Sequence, residues 1–164
     1  MPEYVSQTKY PLVVGANDPC LRAIAQPVWQ LTKEVLIFGK DLKELMWTYD
    51  GVGLAAPQVG KSVRMFAFSQ RDTSKKKRKL LHEWVMINPE IIALSDELCV
   101  EEEGCLSLPG VKGDVARPTR VVMKYTDLDK KIKSIKSYGY NARILLHELD
   151  HLNGILFIDK TEKN

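Results

Sequence analysis

The chain has 164 residues, of which 45% are hydrophobic and 27% charged, with a net charge of +3. That balance excludes a disordered chain and suits a single domain, residues 1–164, able to bury a core. No apolar run approaches the roughly 18 residues of a membrane span, and Met1 to Tyr10 lacks the apolar stretch of a signal peptide.

After a mixed opening segment to about Gln26, a helical pattern begins beyond Pro27. Val35, Phe38, Leu42, Leu45, Met46 and Tyr49 recur at spacings of three and four, and Asp50-Gly51 ends the pattern. Gly51 to Gly60, rich in small residues, reads as an ordered loop. Val63 to Phe68 alternates as a strand does, and Arg71 to Lys79 reads as a connection. Trp84 to Ile87 is strand-like up to Asn88-Pro89, Glu90 to Leu94 continues extended, and Leu98 to Glu102 is a further strand. Arg120 to Tyr125 and Ile132 to Tyr138 flank the turn Asp127 to Lys130 as a hairpin. Tyr140 to Asn153 then switches to helical spacing, with Gly154 as its stop. Several short strands with one early and one late helix predict an α+β domain.

Three cysteines, Cys20, Cys99 and Cys105, make no disulfide framework, which points to a reducing compartment and a cytoplasmic protein, or an organellar one if a targeting segment has been removed. The charge excess is local. Lys75, Lys76, Lys77, Arg78 and Lys79 form one run, read as a solvated loop tip, with contact to RNA such as a ribosome surface as the sharper alternative. Nothing in the charge pattern calls for DNA or a membrane as partner.

The late helix carries His147-Glu148-Leu149-Asp150-His151, an H-E-x-x-H pattern. Residues four apart share a helix face, so two imidazoles can bind one metal ion, and Glu148 can serve as general base without being a ligand. A catalytic site needs a third protein ligand and an open position. Phe157 stands where a metzincin has its third histidine, and Glu162 is the only glutamate downstream, in a polar tail. The third ligand is therefore expected upstream. Cys105, in Glu103-Gly104-Cys105-Leu106-Ser107, is the candidate, since thiolate binds first-row divalent metals well. Gly104 allows close backbone approach, and Ser107 and Pro109 are expected to set the turn that follows. Cys20 and Cys99 are read as buried apolar fillers. His82 is placed on the surface beside the charged connection.

Gly51-Val52-Gly53-Leu54-Ala55-Ala56-Pro57-Gln58, Glu103-Gly104-Cys105-Leu106-Ser107 and His147-Glu148-Leu149-Asp150-His151 resemble, in order and spacing, the three signature motifs of the peptide deformylases. Asp18-Pro19-Cys20-Leu21-Arg22 and Ile87-Asn88-Pro89 are similar to further family segments. The resemblance runs from about Tyr10 to Asp159. It implies antiparallel β-sheets around a central helix carrying the histidines, and removal of the N-formyl group from the initiator methionine of nascent polypeptides, with release of formate. It also implies one divalent ion per chain, Fe(II) natively, with Zn, Ni or Co able to substitute, held by Cys105, His147 and His151. Gln58 and the backbone N–H of Leu106 would stabilise the charge on the formyl oxygen, and Val52, Gly53 and Gly104 would pair with the substrate backbone. Tyr140 and Ile144, seven and three residues before His147, are candidates for the wall of an apolar methionine pocket.

Leu146 stands where the family often has glutamine. The chain also ends soon after Asp159, where many bacterial members continue into a helix linked to ribosome docking. Two rival readings compete. A zincin-like endopeptidase leaves Cys105 and Gln58 without a task. A catalytically silent metal-binding or ribosome-associated module has no need of Glu148 or Gln58.

Overall fold

The computed structural model describes residues 9–74 and 76–161. The sequence readings on residues 1–8, Lys75 and Glu162 lie outside them. The elements in chain order are α1 (Pro19–Arg22), α2 (Lys33–Thr48), β1 (Gly53–Ala55), a 3₁₀ turn (Ala56–Val59), β2 (Met65–Arg71), β3 (Leu80–Leu94), β4 (Leu98–Cys105), β5 (Leu108–Pro118), β6 (Arg120–Thr126), β7 (Ile132–Tyr138), α3 (Gly139–Leu152) and a closing 3₁₀ turn (Phe157–Asp159). Five strands form one antiparallel sheet in the order β1-β2-β3-β6-β7, and β4 and β5 form a separate hairpin. No helix among the described residues is long and apolar enough to cross a membrane.

The large sheet is covered on both faces, and β2 shows why. Phe66 and Phe68 pack with Ala142, Leu145, Leu146 and Leu149 of α3, whereas Met65 and Ala67 pack with Phe38, Leu42, Leu45 and Met46 of α2. Successive strand side chains point to opposite faces, so a slip of one residue would exchange the two sets and bury neither correctly. α3 is thereby central, with the sheet on one side and the β4-β5 hairpin on the other.

α2 begins where Thr32 caps Val35 N–H and ends at Thr48, and Asp50, with φ of 55°, then turns the chain away. Gly39 in its middle is a packing requirement: a Cβ there would lie 2.6 Å from Leu128 Cδ2. The two strand segments expected around Asn88-Pro89 are one strand, β3, bent at Asn88 with φ of 49°. Its first half pairs with β2 and its second with β6. Proline has no N–H for a ladder, so an irregular register is where it belongs. The Asn88 side chain holds the bend by bonding both N–H and C=O of Val28, at 2.8 and 2.9 Å.

Three expectations are corrected. Gly51 to Gly60 is not free of regular structure; it contains β1 and the first 3₁₀ turn. The turn after Cys105 is made by Leu106 and Ser107 alone, and Pro109 already belongs to β5, a strand without a clear alternating signal in the sequence. Cys99 is exposed on β4 and Cys20 is half-buried, so neither is a buried filler; Cys20 Sγ donates to Pro57 O. His82 is exposed as expected and lies against Trp84, with ring centroids 4.0 Å apart and planes tilted by 54°.

Candidate metal centre and active site

α3 begins without a side-chain cap of its own, and other elements hold its start. Asn141 accepts from Arg71 N–H and donates to Arg71 C=O, both at 2.8 Å, which ties the first turn to the end of β2. Its far end is stopped by Gly154 at φ of 71°, where a Cβ would collide with the backbone oxygen of Arg22. Nearly the whole helix is buried. One turn apart on it, His147 and His151 place their ring centroids 5.0 Å apart.

The β4-β5 hairpin brings Cys105 to these rings. One ligand atom each from Cys105, His147 and His151 lies within 4.8 Å of the others, and Cys105 Sγ is 3.4 Å from His151 Nε2. His147 Nδ1 faces Glu103 Oε2 at 2.9 Å, which leaves Nε2 for an ion, the arrangement that orients metal-binding histidines. Burial and the neighbouring His147 charge keep the His151 imidazole neutral, as a ligand must be. Burial alone would lower the His147 pKa, but bonds to Cys105 and Glu103 outweigh it and raise it to about 10. Cys105 and Glu103 thus make this a place that attracts positive charge. A soft donor, two imidazoles and a carboxylate behind one of them fit a divalent transition-metal ion.

Glu148 is 4% exposed, and its Oε2 has no hydrogen-bond partner. Burial pushes its carboxyl up to about 7. Gln58, also buried, is aimed by its own carbonyl: Ala55 N–H donates to Oε1 at 2.9 Å, so Nε2 points to Ser107 Oγ at 3.2 Å and Cys105 Sγ at 3.5 Å. Leu106 sits in the hairpin turn directly after Cys105.

β1 is an edge strand. Ser69 N–H donates to Val52 O, so Val52 faces β2 in a hydrogen-bonded pair, and the N–H and C=O of the next residue, Gly53, point to the free edge. Gly104 lies near the end of β4, whose other side is likewise unpaired among the described strands. A cavity of about 560 Å³ runs between these edges. Val52, Gly53, Gln58, Gly104, Cys105, Leu106, Tyr140, Ile144, His147 and Glu148 all line it, while His151 lies beneath. The pocket wall is less apolar than expected, because Arg143 and Arg78 share it with Tyr140 and Ile144.

Gly53 admits no side chain, since a Cβ would sit 2.5 Å from Glu148 Oε1. Gly53→Ala is expected to lower kcat/KM at least about 100-fold by displacing that carboxylate, with only about 1–2 kcal/mol lost in stability. Steady-state kinetics beside urea unfolding of the same variant would check it.

Sequence reasoning gave no role to the shell behind the ligands. Arg117 Nε and Nη2 bond both oxygens of Glu103 at 2.5 and 3.0 Å, and its Nη1 bonds Asp150 at 2.8 Å. Arg143 adds a bond to Glu103 at 2.8 Å, and Lys160 bonds Asp150. Burial pushes the Glu103 carboxyl up, but bonds from His147 and Arg117 prevail and hold it well below the usual range. Glu103, two residues before Cys105 on one strand, and Arg143, four before His147 on one helix face, carried a periodicity signal. Arg117 carried none, because in the hairpin register it stands opposite Cys99, and its side chain meets Glu103 only in the folded structure. Phe157, at the third-histidine position of a metzincin, stacks on His147 at 6.2 Å instead.

An antiparallel α+β fold with a Cys-His-His cluster and a buried glutamate beside it defines a metal-dependent hydrolase. A family model described as Polypeptide deformylase matches residues 11–164. A peptide deformylase of Bradyrhizobium diazoefficiens is 38% identical over 151 residues, which cover 92% of this chain and 87% of the relative. The crystal structure of peptide deformylase from Thermotoga maritima superposes with a TM-score of 0.83 at 38% identity, covering 96% of this chain and all of that one. A class I type b peptide deformylase from Acinetobacter baumannii, with Met-Ala-Ser bound to it, gives a TM-score of 0.83 at 37% identity, covering 92% and 97%. The chain belongs to the peptide deformylase family. It is accordingly a metal-dependent hydrolase that removes the N-formyl group from the methionine of nascent polypeptides.

Proposed function

We propose that Cys105, His147 and His151 hold the ion, that Glu148 is the general base and then the general acid, and that Gln58 and the N–H of Leu106 stabilise the oxyanion. The observation that carries this reading is the buried, unpartnered Glu148 oxygen on the wall of the cavity that also exposes Cys105 and His147. When bound, the ion supplies the Lewis acidity that makes a water nucleophilic near neutral pH. Glu148 takes the proton of the attacking water and returns it to the leaving amine. Gln58 donates from Nε2 to the formyl oxygen as negative charge develops there, in place of its long contact to Cys105 Sγ, while the Ala55 contact keeps the amide turned the right way.

The formyl peptide lies as an added strand between the free edges at Gly53 and Gly104, its first side chain toward Tyr140 and Ile144. Residues 1–164 act as one catalytic unit, the native ion is Fe(II), with Zn, Ni or Co able to replace it, and the enzyme works in the cytoplasm. The deciding assay is formate release from formyl-Met-Ala-Ser by anaerobically prepared protein. Activity should vanish with a chelator and return with Fe(II). Hydrolysis of internal peptide bonds without formate would favour an endopeptidase, and bound metal without either product a silent site.

The basic run Lys75 to Lys79 makes a transient ribosome contact. Neutralising it should at least halve co-pelleting with ribosomes at low salt, because exposed charge attraction is strongest there. Equal pelleting would end that part of the reading.

A further inference from the structure

Arg78, on the connection between β2 and β3, has no part in the mechanism, yet it lines the cavity that holds His147 and Glu148. Its guanidinium lies over the ring of Tyr140, 3.7 Å from the centroid. Stacking of this kind covers one face of the guanidinium and leaves its N–H edge available, a fork matched to a carboxylate. Among the described residues no carboxylate makes an ion pair with it. The other arginine on the wall, Arg143, is committed to Glu103, Val115 O and Cys99 O. Asp50 and Glu102 also line the cavity, but neither pairs with Arg78.

We infer that Arg78 is a specificity-determining residue that binds an acidic side chain at the second or third position of the formyl peptide. The inference rests on the deformylase reading of the cavity. Distance favours it: Tyr140 lies seven residues before His147, about 10 Å along the helix. The first side chain lies against Tyr140, and an extended peptide rises about 3.3 Å per residue, so the second and third residues follow within about 7 Å of the ring that carries the guanidinium. The ring already holds the guanidinium in place, so little further ordering is needed when a carboxylate arrives.

The test uses C-terminally amidated peptides, which carry no terminal carboxylate: formyl-Met-Ala-Ser-amide and its versions with Asp at position two or three, against the metal-loaded parent, Arg78→Ala and Arg78→Lys. In the parent, kcat/KM for the better Asp peptide should exceed that for the neutral one about three- to fivefold at low ionic strength, through KM, for a charge-assisted pair to an exposed guanidinium. The ratio should fall to about one in Arg78→Ala and be intermediate in Arg78→Lys, which keeps charge but loses the fork. Calorimetric binding of the corresponding deformylated peptides should show the same ratios. A ratio near one in the parent, or one unchanged by Arg78→Ala, overturns the inference. An Arg78-dependent binding preference with no formate from any peptide would support it while removing the deformylase reading.

Discussion

Glu148→Ala should retain its metal and lose at least about three orders of magnitude in formate release, the upper part of the range for a positioned general base. The size follows from the surroundings. No other carboxylate on the cavity wall is both buried and unpartnered, since Glu103 is saturated by His147, Arg117 and Arg143. Cys105, His147 and His151 are untouched, so metal content by emission spectroscopy should stay at one ion per chain, separating loss of chemistry from loss of the site. Glu148→Gln keeps shape and volume and should be about equally inactive. A residual rate within tenfold of the parent in either variant would remove Glu148 from the mechanism.

The second large effect is on stability. Arg117→Met should cost about 3 kcal/mol at saturating metal, because removing one partner of a buried ion pair strands its carboxylates. Arg117 is 3% exposed and serves Glu103 and Asp150 together. For a chain of this length the loss should lower Tm by about 10 °C. The companion variant Glu103→Gln/Arg117→Met should recover part of it, since the larger stranded charge is then gone.

The pH dependence has a definite sign. A carboxyl held below its ordinary value of 4.5 in the folded state contributes stability that is complete above that value and lost as pH falls below it. The parent should therefore lose more stability than Arg117→Met between pH 5 and the acid limit, so the gap between them narrows in acid. Calorimetric scans across that range test it, and a gap that is constant or below about 1 kcal/mol would show that the Arg117 network contributes little.

Local chemistry made much of this protein legible in advance. Helical spacing located α2 and α3, since a face of apolar residues three and four apart leaves a trace in any single sequence. His147, Glu148 and His151 were readable for the same reason, because a five-residue helical pattern carries its own geometry. Strands fared less well. β5 lies with most of its side chains exposed, so no alternation marks it, and β3 needed a bend at Asn88 that pairing on both sides explains. The pocket wall was misjudged in part because Arg78 arrives from a connection far from Tyr140 in sequence.

The amino-acid sequence by itself determined the α+β class, the helix that carries His147, Glu148 and His151, and, through three short motifs, the family. These depend on neighbours within a few residues, where backbone geometry is regular. Only the tertiary structure decided that Cys105 meets His151, that Gln58 Nε2 meets Cys105, and that Arg117 secures Glu103 and Asp150. Those contacts join positions 33 to 47 or more residues apart, or hang on the register of one hairpin, and their existence depends on which surfaces the whole chain can bury at once.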